Sequence, residues 1–116
     1  MFVRDSFEKD YGRLFDIHKM GSTVWSPLCG GILTGKYNEG GIPEGARWNT
    51  FNENPYLKGI WNKYFEGTKK DALIKILKGL ATIAAELGAT QPQLAMAWVI
   101  ANKDVSTAIT GCSKIE

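Results

Sequence analysis

Apolar residues recur at helical spacing in three stretches of the chain and form short extended runs in two others. Phe7, Tyr11, Leu14 and Phe15 stand at i, i+4, i+7 and i+8. That spacing lines one buried face of a helix and predicts one over residues 6–18. Asp5, with Glu8 three residues later, has the form of a capping-box start, and Met20-Gly21 closes the helix. Thr23-Val24-Trp25 reads as a strand over residues 22–25. The clearest period is Leu73, Ile76, Leu77, Leu80, Ile83, Ala84 and Leu87, which predicts a helix over 71–87 stopped by Gly88. Thr90 then caps a further helix, with Gln93 at the capping-box position and Pro92 tolerated in the first turn. That helix carries Leu94, Ala97, Trp98 and Ala101 and ends near Asn102. Val105 to Thr110 is a last strand, followed at once by Gly111-Cys112-Ser113.

Residues 38–68 break the pattern. Gly40, Gly41, Pro43, Gly45, Pro55 and Gly59 punctuate them, and Trp48, Phe51, Tyr56, Trp61, Tyr64 and Phe65 are interleaved. They are predicted as one long irregular segment, a functional lid or a piece that needs support from elsewhere. The aromatics here have no basic groove beside them, so core or lid packing outweighs a stacking platform for single-stranded nucleic acid.

The resulting order is α–β–loop–α–α–β. The two strands are too far apart for a hairpin, and a helical crossover between strands implies parallel pairing in an α/β fold. Two parallel strands neither bury both faces nor cap both edges, so the fold as read is incomplete.

Composition narrows the class. With 44% hydrophobic and 22% charged residues, the 116-residue chain reads as a soluble globular protein of one domain, residues 1–116. A net charge of +2 is too small to argue for nucleic acid or an anionic membrane surface. No apolar run approaches the ~18 residues of a membrane-spanning helix, and Met1-Phe2-Val3-Arg4-Asp5 has no signal-peptide character. Two cysteines, Cys29 and Cys112, make neither a disulfide framework nor a metal-ligand pattern, which fits free thiols and a cytoplasmic location.

The chemistry concentrates in Trp25-Ser26-Pro27-Leu28-Cys29-Gly30-Gly31-Ile32-Leu33-Thr34-Gly35-Lys36-Tyr37. This run joins the first strand to a turn dense in Gly, Ser and Thr that ends on a cation. Such a turn presents backbone N–H groups where nothing bulky blocks an anion, and a phosphate is the natural guest. The spacing is neither that of a P-loop nor the G-x-G-x-x-G of a Rossmann unit. On chemistry alone, a tight strand-to-loop connection with a solvated lysine explains it equally well.

The same run, as W-S-P-L-x-x-G-x-L-T-G-K-Y, is similar to the loop after barrel strand seven of the aldo-keto reductases. It resembles most the group that includes the β subunits of voltage-gated potassium channels. The likeness continues through Ile42-Pro43-Glu44-Gly45-Ala46-Arg47, Ala84-Ala85-Glu86-Leu87-Gly88, Gln91-Pro92-Gln93-Leu94-Ala95-Met96-Ala97-Trp98 and Ser106-Thr107-Ala108-Ile109-Thr110-Gly111. The resemblance implies the C-terminal part of a (β/α)8 barrel: strands seven and eight with their helices, out of a fold of about 250 residues. Strands one to six and the final helix are expected to lie outside the chain.

The resemblance also implies a cofactor, NADPH, and residues to hold it. Trp25 lies beside the nicotinamide, and Ser26, Pro27, Leu28, Cys29 and Gly30 wrap the dinucleotide. Lys36 and Arg47 meet its phosphates or adenine, and Gly111 with Ser113 begins the 2′-phosphate site. Two departures bear on that clamp. Asn38-Glu39-Gly40-Gly41 is one residue longer than in many channel subunits, and Gly45 replaces a larger side chain.

No residue is assigned a catalytic role, because the family's Asp, Tyr, Lys and His come from earlier segments. His18, the single histidine, is read as a helix-end residue. The complete family protein would reduce a small-molecule carbonyl substrate. The alternatives are a regulatory subunit that senses NADPH and associates with a potassium channel α subunit, or a truncated piece with no function of its own. A homo-oligomer that completes the barrel is a further expectation.

Overall fold

The sheet has two parallel strands, β1 (Ser22–Trp25) and β2 (Val105–Ile109), in a computed structural model that describes residues 1–2 and 4–112. Ser22 lies opposite Val105, and Thr23, Val24 and Trp25 lie opposite Thr107, Ala108 and Ile109. Ser106 is therefore an extra residue in β2, a bulge that kinks the strand. Gly21 lies against the bulge, since a Cβ there would displace the Ser106 hydroxyl. The Ser22 hydroxyl donates to the Asp104 carbonyl at 2.6 Å and ties the start of β1 to the turn before β2. Val24 and Ala108 are half-buried, whereas Thr23, Trp25, Thr107 and Ile109 are exposed. Alternation of side chains thus leaves one sheet face covered and the other open.

Among the described residues four α-helices accompany this pair: α1 (Gly12–His18), α2 (Pro55–Tyr64), α3 (Lys69–Glu86) and α4 (Gln91–Ile100). The last two match their predicted spans to within two residues. The capping box of α4 is present as predicted. The Gln93 N–H donates to Thr90 Oγ1 at 3.4 Å, and the Thr90 N–H donates to Gln93 Oε1 at 2.8 Å.

The N-terminal helix differs from its prediction. It divides into a π-helical turn, Ser6–Asp10, and α1, with the break at Tyr11. Asp5 makes no capping hydrogen bond; it pairs instead with Lys9 at 3.1 Å, as Arg4 does with Glu8 at 3.6 Å. Closure comes one residue earlier than predicted, at Lys19 in the left-handed conformation. The face expected to be buried is only partly so: Tyr11 is 50% and Leu14 43% exposed, while Phe7 and Phe15 are half-buried. Phe7, Tyr11, Leu14 and Phe15 line the wall of an open cleft of about 700 Å³ between this segment, β1 and α2.

Helix α2 lies inside the segment predicted as irregular. Asn54 Oδ1 accepts the N–H groups of Tyr56 and Leu57 at 3.0 and 3.3 Å, and Pro55 occupies the first turn, where its missing N–H costs nothing.

The core sits away from the sheet. Ile32, Leu33, Tyr37, Trp48, Leu57, Phe65, Leu73, Leu77 and Ala95 pack together, joining the turn after β1 to α2, α3 and α4. The interleaved aromatics are its structural spine, as the sequence implied. Phe51 stacks on Trp61 with centroids 4.1 Å apart, and Trp61 stacks on Phe65 at 4.7 Å. Fully buried Trp48 lies against both Trp61 and Phe65.

Candidate functional site

Because β1 and β2 run parallel with Trp25 opposite Ile109, the chain leaves both strands at the same end. Residues 26–28 and 110–112 therefore share one rim, as the sequence implied. Gly111 and Cys112 are exposed there, and Ser113 lies outside the described residues.

The first loop turns sharply. Ser26 has φ +54, and Cys29, Gly30 and Gly31 follow with φ values of +51, +63 and +94. Ser26 directs this coil: its carbonyl accepts the Cys29 N–H at 2.9 Å, and its Oγ accepts the Gly30 N–H at 3.3 Å. The Leu28 carbonyl takes the N–H groups of Gly31 and Leu33 at 3.0 and 3.2 Å. Among the described residues the Leu28 N–H has no partner within the chain. Gly30 is required by a close approach as well as by its backbone, since a Cβ there would stand 3.1 Å from Trp48 Cζ2. Pro27 is buried on the inner side.

The two candidate cations border this turn. Lys36 is exposed and lies with Nζ 5.2 Å from the Tyr37 ring centroid, and a Cβ on Gly31 would touch its Cε and Nζ. Arg47 is exposed at the start of a 3₁₀ segment, Arg47–Glu53. Among the described residues neither cation is in an ion pair. Tyr37 lies under Lys36 and within the field of Arg47. Burial pushes its pKa up to about 12, while the Arg47 guanidinium pulls the other way. The Cys29 thiol is pushed up by burial, with the Met1 ammonium and Lys63 opposing, so it is not a ready nucleophile.

Trp25 sits where the strand gives way to the loop, 67% exposed, with its ring 6.0 Å from that of Tyr56. Both rings face the 700 Å³ cleft. His18 is exposed at the end of α1. Among the described residues there is no cluster of metal-ligating side chains.

The arrangement brings together Trp25, Ser26, Pro27, Leu28, Cys29 and Gly30 as one turn, with Lys36 and Arg47 uncommitted beside it. A free N–H, a glycine cradle and two unpaired cations suit an anion. Sequence reasoning placed Tyr37 at the end of this run without a role and gave Trp48 and Gln91 no part in it. Only Trp48 left a signal, in the glycine it requires at position 30.

Residues 5–116 match the family model for the aldo/keto reductase family. The chain belongs to that family. Its relatives include proteins named as subunit beta of a voltage-gated potassium channel: a putative one from Schizosaccharomyces pombe, 49% identical over 114 residues, and a probable one from Arabidopsis thaliana, 40% identical. A third, from Oryza sativa subsp. japonica, is 38% identical. Each alignment covers 98% of this chain but only 31–32% of the relative, so the chain spans about a third of the length of the curated relatives it matches. Aldo/keto reductases are (β/α)8 barrels, and the parallel β1–β2 pair with its helices is consistent with part of one. The family generally uses NAD(P)H, and the donors and cations of the turn fit a dinucleotide diphosphate. Among the described residues no helix is long and apolar enough to cross a membrane.

Proposed function

We propose that this chain forms the cofactor-binding side of an NADPH-dependent aldo/keto reductase that reduces carbonyl compounds. The observation that carries this reading is the left-handed turn after β1, whose Leu28 N–H is free, and whose neighbouring cations Lys36 and Arg47 are unpaired, among the described residues. In this reading the Ser26 hydroxyl and the Leu28 N–H hold the pyrophosphate, and Pro27, Cys29 and Gly30 shape the turn. Lys36 meets a phosphate as a point charge, and Arg47 grips the 2′-phosphate or covers the adenine. Trp25 flanks the nicotinamide, and Gly111 and Ser113 open the second phosphate contact on the neighbouring loop. NADPH when bound supplies a hydride; this chain's residues bind and orient it, and the proton donor comes from other segments of the complete family protein.

The names of the relatives favour a second reading. A cytoplasmic β subunit that associates with a potassium channel α subunit would use NADPH occupancy as a signal. Co-purification with a tetrameric channel separates it from a plain enzyme.

Fluorescence titration of the purified chain with NADPH and NADH tests the site. Arg47→Ala should weaken NADPH far more than NADH. A hydrogen bond to a charged group is worth roughly 1.5–3 kcal/mol, or about one to two decades in affinity. Equal losses for both cofactors would remove Arg47 from the 2′-phosphate, and no binding by the unmodified chain would overturn the proposal.

A further inference from the structure

Lys36 projects from a turn that one residue of α4 bonds at its end and lies close to at its start. The turn runs from Gly35 to Asn38 and is closed by the Asn38 N–H, which donates to the Gly35 carbonyl at 3.1 Å. At its start, Gly35 has φ +91 and lies so close to α4 that a Cβ would stand 3.4 Å from Gln91 Oε1. At its end, Asn38 Nδ2 donates to that same oxygen at 2.8 Å. Between them Tyr37 is 1% exposed and anchored in the core. Of the four turn residues only Lys36 is exposed.

Gln91 is itself 7% exposed and is the first residue of α4, whose start the Thr90–Gln93 capping box fixes. Among the described residues its Nε2 and the Asn38 Oδ1 have no hydrogen-bond partner. A half-satisfied pair of buried amides is costly, and apolar side chains at both positions would pack there without that cost. What the glutamine adds is direction: one acceptor that fixes the far end of a turn whose glycine would otherwise be free to swing.

We propose that Gln91 is a positioning residue that fixes the Gly35–Asn38 turn so that Lys36 meets the phosphate of the dinucleotide. The proposal rests on the NADPH reading given above. It predicts that Gln91 acts on affinity through Lys36 and not independently of it.

The test is a double-mutant cycle on NADPH affinity by fluorescence titration, using the chain, Gln91→Leu, Lys36→Ala and the double variant, with the melting temperature of each. Gln91→Leu should weaken NADPH by the same factor as Lys36→Ala, up to about fivefold for an exposed ion pair. The double variant should be no weaker than either single one, although Gln91→Leu should melt below the unmodified chain because Asn38 Nδ2 loses its acceptor. A merely structural role would lower affinity by the same factor with or without Lys36, which overturns the proposal. Unchanged affinity in Gln91→Leu, with a loss in Lys36→Ala, overturns it while leaving the NADPH site standing. No binding by the unmodified chain removes both readings. Should Gln91→Leu precipitate, Asn38→Ala is read in the same cycle with the same expected outcome.

Discussion

A single methyl group added at Gly30 puts a number on how tightly the turn is built. Gly30 has φ +63, a conformation that costs an L-residue about 1–2 kcal/mol. The new Cβ would also stand 3.1 Å from Trp48 Cζ2, inside ordinary contact distance. Trp48 is fully buried, with Phe65 5.7 Å and Trp61 6.4 Å away between ring centroids, so it has little room to retreat. Overpacking of that kind adds about 1–3 kcal/mol. Gly45 supplies the control, because it has φ +70 but only open space around it. Gly45→Ala should therefore show the backbone cost alone. With a urea slope of about 1–3 kcal/mol/M, Gly30→Ala should lower the unfolding midpoint by about 1–2 M and Gly45→Ala roughly half as far. Equilibrium urea unfolding followed by tryptophan emission reads both. Equal midpoints for the two variants would show that the Trp48 contact contributes nothing. No loss in either would refute the left-handed assignment itself.

The Tyr37 hydroxyl is buried without a partner among the described residues, and its pKa of about 12 exceeds the value near 10 expected of the unfolded chain. The folded form therefore resists ionisation that the unfolded form accepts, and stability should fall as pH rises from about 10 to 12. Tyr37→Phe should lose less over that window in melting curves, and identical alkaline slopes would refute the account. The open sheet face and the 700 Å³ apolar cleft should bind a hydrophobic dye, and a chain with no dye fluorescence would show that these surfaces are covered in solution. The 116-residue chain with NADPH and 4-nitrobenzaldehyde should show no turnover above blank, since the family's proton donor is expected from other segments. Turnover that survives repurification would place a general acid within these residues.

Where periodicity and capping agreed, the sequence was readable. The Leu73–Leu87 stripe, the Thr90–Gln93 capping box and the parallel pairing that puts Ser26 and Gly111 on one rim all follow from local rules. Helix α2 obeyed the same rules but was hidden. Leu57, Ile60, Trp61, Tyr64 and Phe65 do recur at i, i+3, i+4, i+7 and i+8, and Asn54-Pro55 is a cap followed by a first-turn proline. The surrounding glycines and prolines carry the opposite, loop-forming signal and mask that pattern. The grip of Gln91 on the Lys36 turn was not legible at all. It joins residues 53 apart, and nothing in a linear pattern says which buried amides will meet. The expected burial of Tyr11 and Leu14 failed for a different reason: amphipathic spacing specifies a face and leaves open what covers it.

The displacement of the core from the sheet has a consequence for how the protein opens. Ile32, Leu33 and Tyr37 belong to the loop after β1, yet they are among the most deeply buried residues, while the strands carry exposed Trp25 and Ile109. Local opening follows buried contact, so amide exchange should be slower in the loop and in α3 and α4 than in the two strands. That inverts the common arrangement in which a rigid sheet carries mobile binding loops. A loop already ordered loses little conformational freedom when it takes a ligand. Its affinity is then set by the fit of the turn to its guest, with little contribution from the ordering of the chain.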